Sequence, residues 1–352
     1  GGVNRNVIIN GAMNVAQRST SETGLGAATG YFTCDRWNFY QNGTAGRLTM
    51  SQDNDAPEGF SKSLKFACTT ADTSIATAES LQIMQKIEAQ NMQQFKKGTS
   101  SALPFALSFY VKGNASATYV AELEDYDNSS RHVGKTFNVT TDWTRVEITF
   151  PADTTGVLGE DNGTGIALNI HLHSGSFNTG GTLRETWGTL SQSDRVGGGT
   201  TSFFDSTDRT FFITGVQLEV GQNPTSFEVE PFANTLRKCQ RYYEKSYNQG
   251  TAPGTSTHLG SRSTGGNQGA STTGEIGGYF PFTITKRSAP TMTIYDQSGN
   301  SGKTTISLYG TGTTANQTSS ASNISETVFF VSRSSGGNGT EFYVQFEADA
   351  EL

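Results

Sequence analysis

The sequence has few of the residues on which disulfide frameworks and most metal sites depend. Its 352 residues include three cysteines, four histidines and eight prolines. Cys34, Cys68 and Cys239 are odd in number and far apart, a spacing that fits neither a disulfide framework nor a zinc site. We therefore expect them to be reduced core residues of a protein that is made in a cytoplasm.

Charge and long apolar runs are also scarce. Charged residues make up 16% of the chain and the net charge is -7, so clustered Lys and Arg for phosphate contacts are missing. No run approaches the roughly 20 apolar residues of a membrane helix. Residues 1–30 lack the charged-then-apolar layout of a signal peptide. We expect neither a nucleic-acid partner nor membrane insertion.

Glycine, aromatic residues and alternating apolar positions are abundant instead. The chain contains 41 Gly, 22 Phe and 12 Tyr. Between about 64 and 219 apolar and polar residues alternate, which places one set of side chains on a single face of each strand. Two such rows are Phe105, Leu107, Phe109, Val111 and Ile166, Leu168, Ile170, Leu172. Many short strands separated by turn residues predict an all-β fold, and we favour a jelly-roll β-sandwich.

The segment 79–91 fits two kinds of secondary structure. Leu81, Ile83 and Ile87 match the period of a strand, whereas Leu81, Met84 and Glu88 match helical spacing. We favour the strand.

These patterns predict that the chain is divided into four parts. We expect an N-terminal strand and arm over 1–36, with a strand through Val7 and Ile9 that ends in a turn at Asn10 and Gly11. The jelly-roll sandwich is predicted over 37–232, a connecting helix over 233–247 and a small β domain over 248–352. Within that last domain the Gly/Ser/Thr-rich stretch 248–277 is predicted to be a loop or linker.

His171 and His173 are two residues apart on one predicted strand, so we expect both to leave the same face. Three interpretations are open. The two are solvated strand histidines, or they ligate a metal for which no further ligand lies nearby in sequence. In the third, Asn169, His171 and His173 bind a sugar by hydrogen bonds while Trp187 provides an apolar plate.

A run of acidic residues, Glu122, Glu124, Asp125 and Asp127, leads into a predicted turn. Neighbours on one strand rarely reach the separation that glycoside hydrolysis needs, and no Gly-x-Ser-x-Gly elbow occurs, so we expect no enzyme. Calcium is an alternative for Asp125, Asp127 and Asn128, because hard cations take oxygen ligands from loops. We favour solvated charges at a sheet edge.

Three ordered segments carry a resemblance to a known family. The first is NVIINGAMNVAQRST over 6–20, followed by Tyr31 and DRW over 35–37. The second is GVQLEVG over 215–221 with PTSFE over 224–228, and the third is LRKCQRYY over 236–243. Together with the closing ADAEL, they resemble bacteriophage tail-fibre and tail-associated structural proteins with a carbohydrate-binding-module-like jelly roll.

This resemblance implies a non-enzymatic virion protein that is made in the host bacterial cytoplasm. Its implied partners are other virion proteins, further copies in a homotrimer and a host cell-surface glycan. Because a full fibre carries an upstream attachment region, we expect this chain to be a distal part of a longer protein. A capsid decoration protein is the first alternative, and a carbohydrate-binding or depolymerase module of a secreted enzyme is the second.

Overall fold

The chain folds into two compact units, each built from antiparallel β-strands. The computed structural model describes residues 4–128, 130–265, 276–308, 312–333 and 339–352. Unit 1 comprises Gly1–Ala16, Thr20–Thr235 and Leu352, and unit 2 comprises Gln17–Ser19 and Leu236–Glu351. No helix within these described ranges has the length and apolar character needed to cross a membrane.

Unit 1 is a sandwich of two sheets. Its strands are β1 Ser21–Leu25, β2 Gly30–Tyr31, β3 Asn38–Asn42, β4 Arg47–Asp53, β5 Ser63–Thr70, β6 Ser80–Glu88, β7 Phe105–Gly113, β8 Ala117–Asp125, β9 Arg131–Val139, β10 Thr144–Phe150, β11 Thr164–Ser174, β12 Gly188–Thr189 and β13 Thr210–Val220. One sheet has six strands in the order β1-β4-β5-β13-β7-β10. The other has seven in the order β12-β9-β8-β11-β6-β3-β2.

Alternation places the core between these two sheets. The predicted rows on β7 and β11 are fully buried: Phe105, Leu107, Phe109 and Val111 from one sheet, and Ile166, Leu168, Ile170 and Leu172 from the other. Each strand therefore presents one apolar face to the opposite sheet, as in a sandwich. The prediction of an all-β fold with a jelly-roll β-sandwich is confirmed, and so is the strand in 79–91, which is β6. A 3₁₀ helix over Ala89–Phe95 follows β6.

Residues 6–11 attach to β13 without forming the predicted strand. The Val7 N–H donates to the Leu218 carbonyl at 3.0 Å, and the Val216 N–H donates to the Gly11 carbonyl at 3.0 Å. A Cβ atom on Gly11 would lie 2.0 Å from the Val216 oxygen, so the close approach requires glycine. We call residues 6–11 with their bonds to β13 the N-terminal clamp. A turn forms at Asn10 and Gly11, as predicted, but the residues before it are not a strand.

Polar side chains complete the N-terminal clamp. The Glu228 carboxylate accepts the backbone N–H groups of Arg5 at 2.8 Å and Asn6 at 3.0 Å. The indole N–H of the fully buried Trp37 donates to the Asn10 carbonyl at 3.1 Å. Two of the segments that carry the family resemblance, 6–20 and 215–228, are thus bonded to each other.

Two strands of the sandwich precede the predicted start of that domain at residue 37. β1 pairs with β4 and β2 pairs with β3. The N-terminal part therefore contributes to both sheets. The short helices of unit 1 include α1, Ser176–Thr179, and a 3₁₀ turn at Gln192–Asp194.

Unit 2 is organised around one strand. The helix α2 spans Phe232–Gln240, so its residues through Thr235 belong to unit 1 and those from Leu236 belong to unit 2. The strands of unit 2 that follow are β14 Tyr243–Lys245, β15 Arg262–Gly265, β16 Ile276–Pro281, β17 Thr291–Tyr295, β18 Lys303–Leu308, β19 Gly312–Thr318, β20 Ser320–Ser322, β21 Val328–Arg333 and β22 Gly339–Asp349. β14, β15, β17 and β18 all pair with β22. The hydrophobic core of unit 2 includes Phe280, Ile306, Phe329, Phe342 and Phe346.

Two predictions for this region differ from the structure. The helix predicted over 233–247 ends at Gln240, because Tyr243–Lys245 pairs with β22 instead. The stretch 248–277 is predicted to be a loop or linker, but Arg262–Gly265 and Ile276–Pro281 form strands. Residues 266–275 of that stretch lie outside the described residues.

Candidate functional site

The outer face of the seven-stranded sheet, which points away from the core, carries four of the polar residues singled out in the sequence. Asn169 lies opposite Glu122 and Ala167 lies opposite Glu124. Residues directly opposite on antiparallel strands share a face. Because Leu123 and Leu168 are in the core, Glu122, Glu124, Asn169 and His171 point outward.

These outward side chains form a buried polar network centred on Glu122. The Glu122 carboxylate accepts from His132 Nδ1 at 2.9 Å, His171 Nε2 at 2.8 Å and Asn169 Nδ2 at 3.0 Å. Arg195 donates to the same carboxylate from Nε at 3.0 Å and from Nη2 at 2.5 Å. Its Nη2 also donates to the Glu124 carboxylate at 2.6 Å. One guanidinium thus bridges two carboxylates.

The network separates the pKa values of its two acids. Burial raises the pKa of Glu122, but Arg195 and His171 outweigh it and hold that pKa well below the usual range. Burial raises the pKa of Glu124 above its usual value, and the negative charge of Glu122 adds to that rise while Arg195 opposes it. Glu122 is therefore ionised at neutral pH.

A segment after β11 covers this part of the sheet. We call residues 175–202 the cover segment; it supplies Arg195 and the short strand β12. Its Arg184 carbonyl accepts the Gly134 N–H at 2.8 Å, and β12 pairs with β9 at the edge of the sheet. Asn169, His171 and His173 are all 0% exposed, so the prediction of solvated histidines is wrong.

The four predicted sugar-binding residues do not form one surface. A β-bulge separates His171 from His173 in the pairing with β6. His171 joins the Glu122 network, whereas His173 Nδ1 lies 2.8 Å from Ser202 Oγ. The Trp187 indole N–H donates to the Pro151 carbonyl at 2.8 Å, and its ring packs 5.6 Å from that of Phe105.

The predicted calcium ligands do not fit a calcium ion. Asp125 is fully buried and pairs with the ammonium of Lys97, which places a protein cation where a metal would lie. Asn128 directs its amide N–H₂ at Asp125 Oδ2, 3.0 Å away, and so presents a donor instead of an acceptor. The preference for solvated edge charges is also wrong for Glu122, Glu124 and Asp125, which are all buried.

A second group of ionisable residues lies elsewhere in unit 1. Asp72, Glu79 and His173 are buried, and one potential ligand atom from each lies within 4.8 Å of the other two. The Asp72 Oδ2 accepts the Thr44 hydroxyl at 3.0 Å and the Ala45 N–H at 2.8 Å. Burial lowers the pKa of His173, although Glu79 opposes that change. The sequence spacing of the three residues gave no sign of this grouping.

One part of the outer face remains accessible. Tyr126 follows Glu122 and Glu124 at a spacing of two, and it is 41% exposed. The Lys86 ammonium lies 5.9 Å from the centroid of its ring. Tyr40 lies opposite Gln82 on the neighbouring strand, on the same outer face of the sheet as Tyr126. We call Tyr40, Lys86, Tyr126 and Arg195 the outer-face patch; Glu124 lies beneath it and is 5% exposed.

The outer-face patch combines an aromatic surface with charged groups at fixed positions. Burial raises the pKa of Tyr126, and the charge of Glu124 raises it further, while Arg195 opposes the rise. The phenol therefore stays protonated and can donate as well as accept. The continued alternation of Glu122, Glu124 and Tyr126 could have identified Tyr126 from sequence, whereas Arg195 comes from 71 residues beyond Glu124.

Solved structures resemble parts of this chain at low identity. One is the enzymatically active domain of tailspike protein 4 of bacteriophage CBA120, with 14% identity and a TM-score of 0.33 over 62% of this chain and 22% of that chain. A second is a CBM4 structure, with 15% identity and a TM-score of 0.32 over 60% of this chain and 98% of that chain.

A third is the C-terminal family 22 carbohydrate binding module of Clostridium thermocellum Xyn10B. Its identity is 12% and its TM-score 0.31, over 64% of this chain and 100% of that chain. No protein-family model and no curated protein matches the sequence.

Proposed function

We propose that this chain is a non-enzymatic structural protein of a phage tail fibre or similar virion appendage, and that it binds a host cell-surface glycan. The observation that carries the proposal is the outer-face patch, where the exposed ring of Tyr126 lies beside Lys86. Sugars stack their CH faces on aromatic rings and need polar partners at fixed positions for their hydroxyls. Arg195 is held in place by its contacts with Glu122 and Glu124 below.

The contacts of the acidic residues support a binding role over hydrolysis. A hydrolase needs two carboxylates that face a substrate across an open cleft. Here Glu122 receives donors from His132, Asn169, His171 and Arg195, and it is 0% exposed. Glu124 shares the same guanidinium. Neither carboxylate has the open side that a glycosidic oxygen requires.

The virion location rests on the ordered motifs of the sequence. On this proposal the protein is made in the host bacterial cytoplasm, assembles with other virion proteins as a homotrimer and has no nucleic-acid partner. A single patch of this size would bind weakly. Three or more linked copies would raise the apparent affinity by about 10²–10⁴, provided that the copies engage one surface together.

Binding of the purified chain to bacterial surface polysaccharides on a glycan array tests the proposal. Tyr126→Ala should lower the affinity for the bound glycan by about tenfold or more, since truncation of an aromatic contact residue costs over about 1.4 kcal/mol. Tyr279→Ala is the matched control, because Tyr279 is also exposed, at 61%, but lies in unit 2. Tyr279→Ala should leave binding unchanged.

Three outcomes would contradict the proposal in different ways. Equal binding by Tyr126→Ala and wild type would exclude the outer-face patch as the glycan-binding site. Absence of binding to any surface glycan would favour a capsid decoration protein, which contacts the shell instead of a host. Release of reducing ends from a bound polysaccharide, abolished in Glu122→Gln, would show that the chain is a depolymerase.

A further inference from the structure

The group formed by Asp72, Glu79 and His173 is fixed in place by the backbone. Asp72 and Glu79 flank the segment between β5 and β6, and His173 lies near the end of β11. The Asp72 N–H donates to the Phe204 carbonyl at 2.8 Å, and the Gly175 N–H donates to the Glu79 carbonyl at 2.7 Å. The β5–β6 segment and the end of β11 are thereby brought together so that one ligand atom from each of the three residues lies within 4.8 Å of the others.

Among the described residues, the carboxylates of Asp72 and Glu79 lack the lysine or arginine partner that several other buried carboxylates of unit 1 have. The buried carboxylates of Glu122, Asp125 and Asp153 each pair with a lysine or an arginine. Within the part of the chain that the structure describes, no lysine or arginine pairs with Asp72 or Glu79, although both are only 6% exposed. Two adjacent buried carboxylates without a full positive charge are costly.

The imidazole of His173 is oriented toward these carboxylates. Its Nδ1 lies 2.8 Å from Ser202 Oγ, and the ring packs edge-on against Phe204 with centroids 5.3 Å apart. Its Nε2 lies 3.3 Å from Glu79 Oε2. Metal-bound histidines show this arrangement, in which one nitrogen faces the ion and the other is held by a hydrogen-bond partner.

The Asp72 carboxylate has comparable support from outside the group. Its Oδ2 accepts from Thr44 Oγ1 and from the Ala45 N–H. Such contacts orient a ligating carboxylate before an ion arrives. Residues 73–78 between the two acids are exposed, so an ion has a short path from solvent.

We propose that Asp72, Glu79 and His173 bind one divalent transition-metal ion, and that Zn²⁺ is the ion that fits best. Zn²⁺ accepts one imidazole nitrogen and two carboxylate oxygens, and water completes its four ligands. Ca²⁺ and Mg²⁺ prefer oxygen ligands alone, so the histidine disfavours them. The bound ion balances the two carboxylates and ties the β5–β6 segment to the end of β11.

Metal binding by the whole chain tests this site directly. After treatment with a chelator, the protein is titrated with Zn²⁺ by calorimetry, and the bound zinc is counted after dialysis. We expect one Zn²⁺ per chain. His173→Gln should lower the affinity at least about 100-fold, whereas His258→Gln should leave it unchanged, because His258 is an exposed histidine of unit 2.

Two further measurements separate ligation from a general loss of structure. Ser202→Ala keeps all three ligands but removes the partner of His173 Nδ1, and we expect it to weaken Zn²⁺ binding about 10–100-fold. Co²⁺ bound in place of Zn²⁺ should give the visible absorption of a four-coordinate ion, and His173→Gln should abolish that absorption.

The proposal is overturned if the wild-type chain binds no Zn²⁺, or if His173→Gln binds as much as wild type. It is also overturned if Ca²⁺ displaces Zn²⁺ at equal concentration, since the histidine would then not be a ligand. Tryptophan fluorescence checks the folding of each variant. If His173→Gln does not fold, the zinc count of wild type and the affinity of Ser202→Ala decide the result.

Discussion

Replacement of Arg195 by methionine tests whether the buried network stabilises unit 1. The change keeps most of the side chain's length but removes the only cation among the described residues that bridges Glu122 and Glu124. Arg195 has a side-chain exposure of 11% and Glu122 of 0%, so solvent screens the pair little. Loss of one partner from a buried ion pair costs about 3–5 kcal/mol. We expect a loss in that range.

Tryptophan fluorescence during urea unfolding measures this loss. All three tryptophans, Trp37, Trp143 and Trp187, lie in unit 1, so the signal reports on that unit alone. The expected change corresponds to a fall in melting temperature of roughly 6–20 °C for a unit of this size. Glu122→Gln in the same chain should recover part of the loss, because the acid left without its partner is then neutral.

Arg145→Met is the matched control for this prediction. Arg145 also lies in unit 1 and pairs with Glu147, but the two side chains are 29% and 50% exposed. Exposed pairs contribute about 0–1 kcal/mol. If Arg195→Met destabilises unit 1 no more than Arg145→Met does, the network has no stabilising role and the reasoning is wrong.

Two other predictions use the same fluorescence assay. The folded pKa of Glu122 is below its ordinary 4.5, so its contribution to stability is present above that value and lost as the pH falls toward the lowered pKa. At pH values below about 5 the unfolding free energy should therefore decrease. The decrease should be less steep in Glu122→Gln than in the exposed control Glu185→Gln, and equal slopes would contradict this prediction. Gly11→Ala should cost about 1–3 kcal/mol because its Cβ meets the Val216 oxygen, whereas Gly159→Ala, whose nearest neighbour is at 3.5 Å, should cost under about 0.5 kcal/mol. Equal costs would show that the N-terminal clamp tolerates a side chain.

Period-two alternation predicted the two facing sheets that form the core of unit 1. The row from Phe105 to Val111 and the row from Ile166 to Leu172 are the inner faces of the two sheets. Alternation distinguishes one face of a strand from the other. Alternation does not indicate whether the outer face meets water, and for that reason the interpretation of His171 as a solvated histidine is wrong.

The contacts of the candidate site depend on residues that are distant in sequence. Lys97 comes 28 residues before Asp125, and Arg195 comes 73 residues after Glu122. Neither cation has a local signal, since isolated Lys and Arg are common on surfaces. The bulge between His171 and His173 also changed which side chains share a face, and one extra residue in a strand leaves no clear mark in composition.

The pairing of β22 in unit 2 has a consequence for synthesis on the ribosome. β14 and β18 lie on opposite edges of β22, which leaves the ribosome after every other strand described in that unit. Until then its partners expose unpaired backbone groups that can pair with other chains. A nascent chain interrupted before Gly339 would lack the strand that joins them, so aggregation or degradation is the expected fate of such fragments.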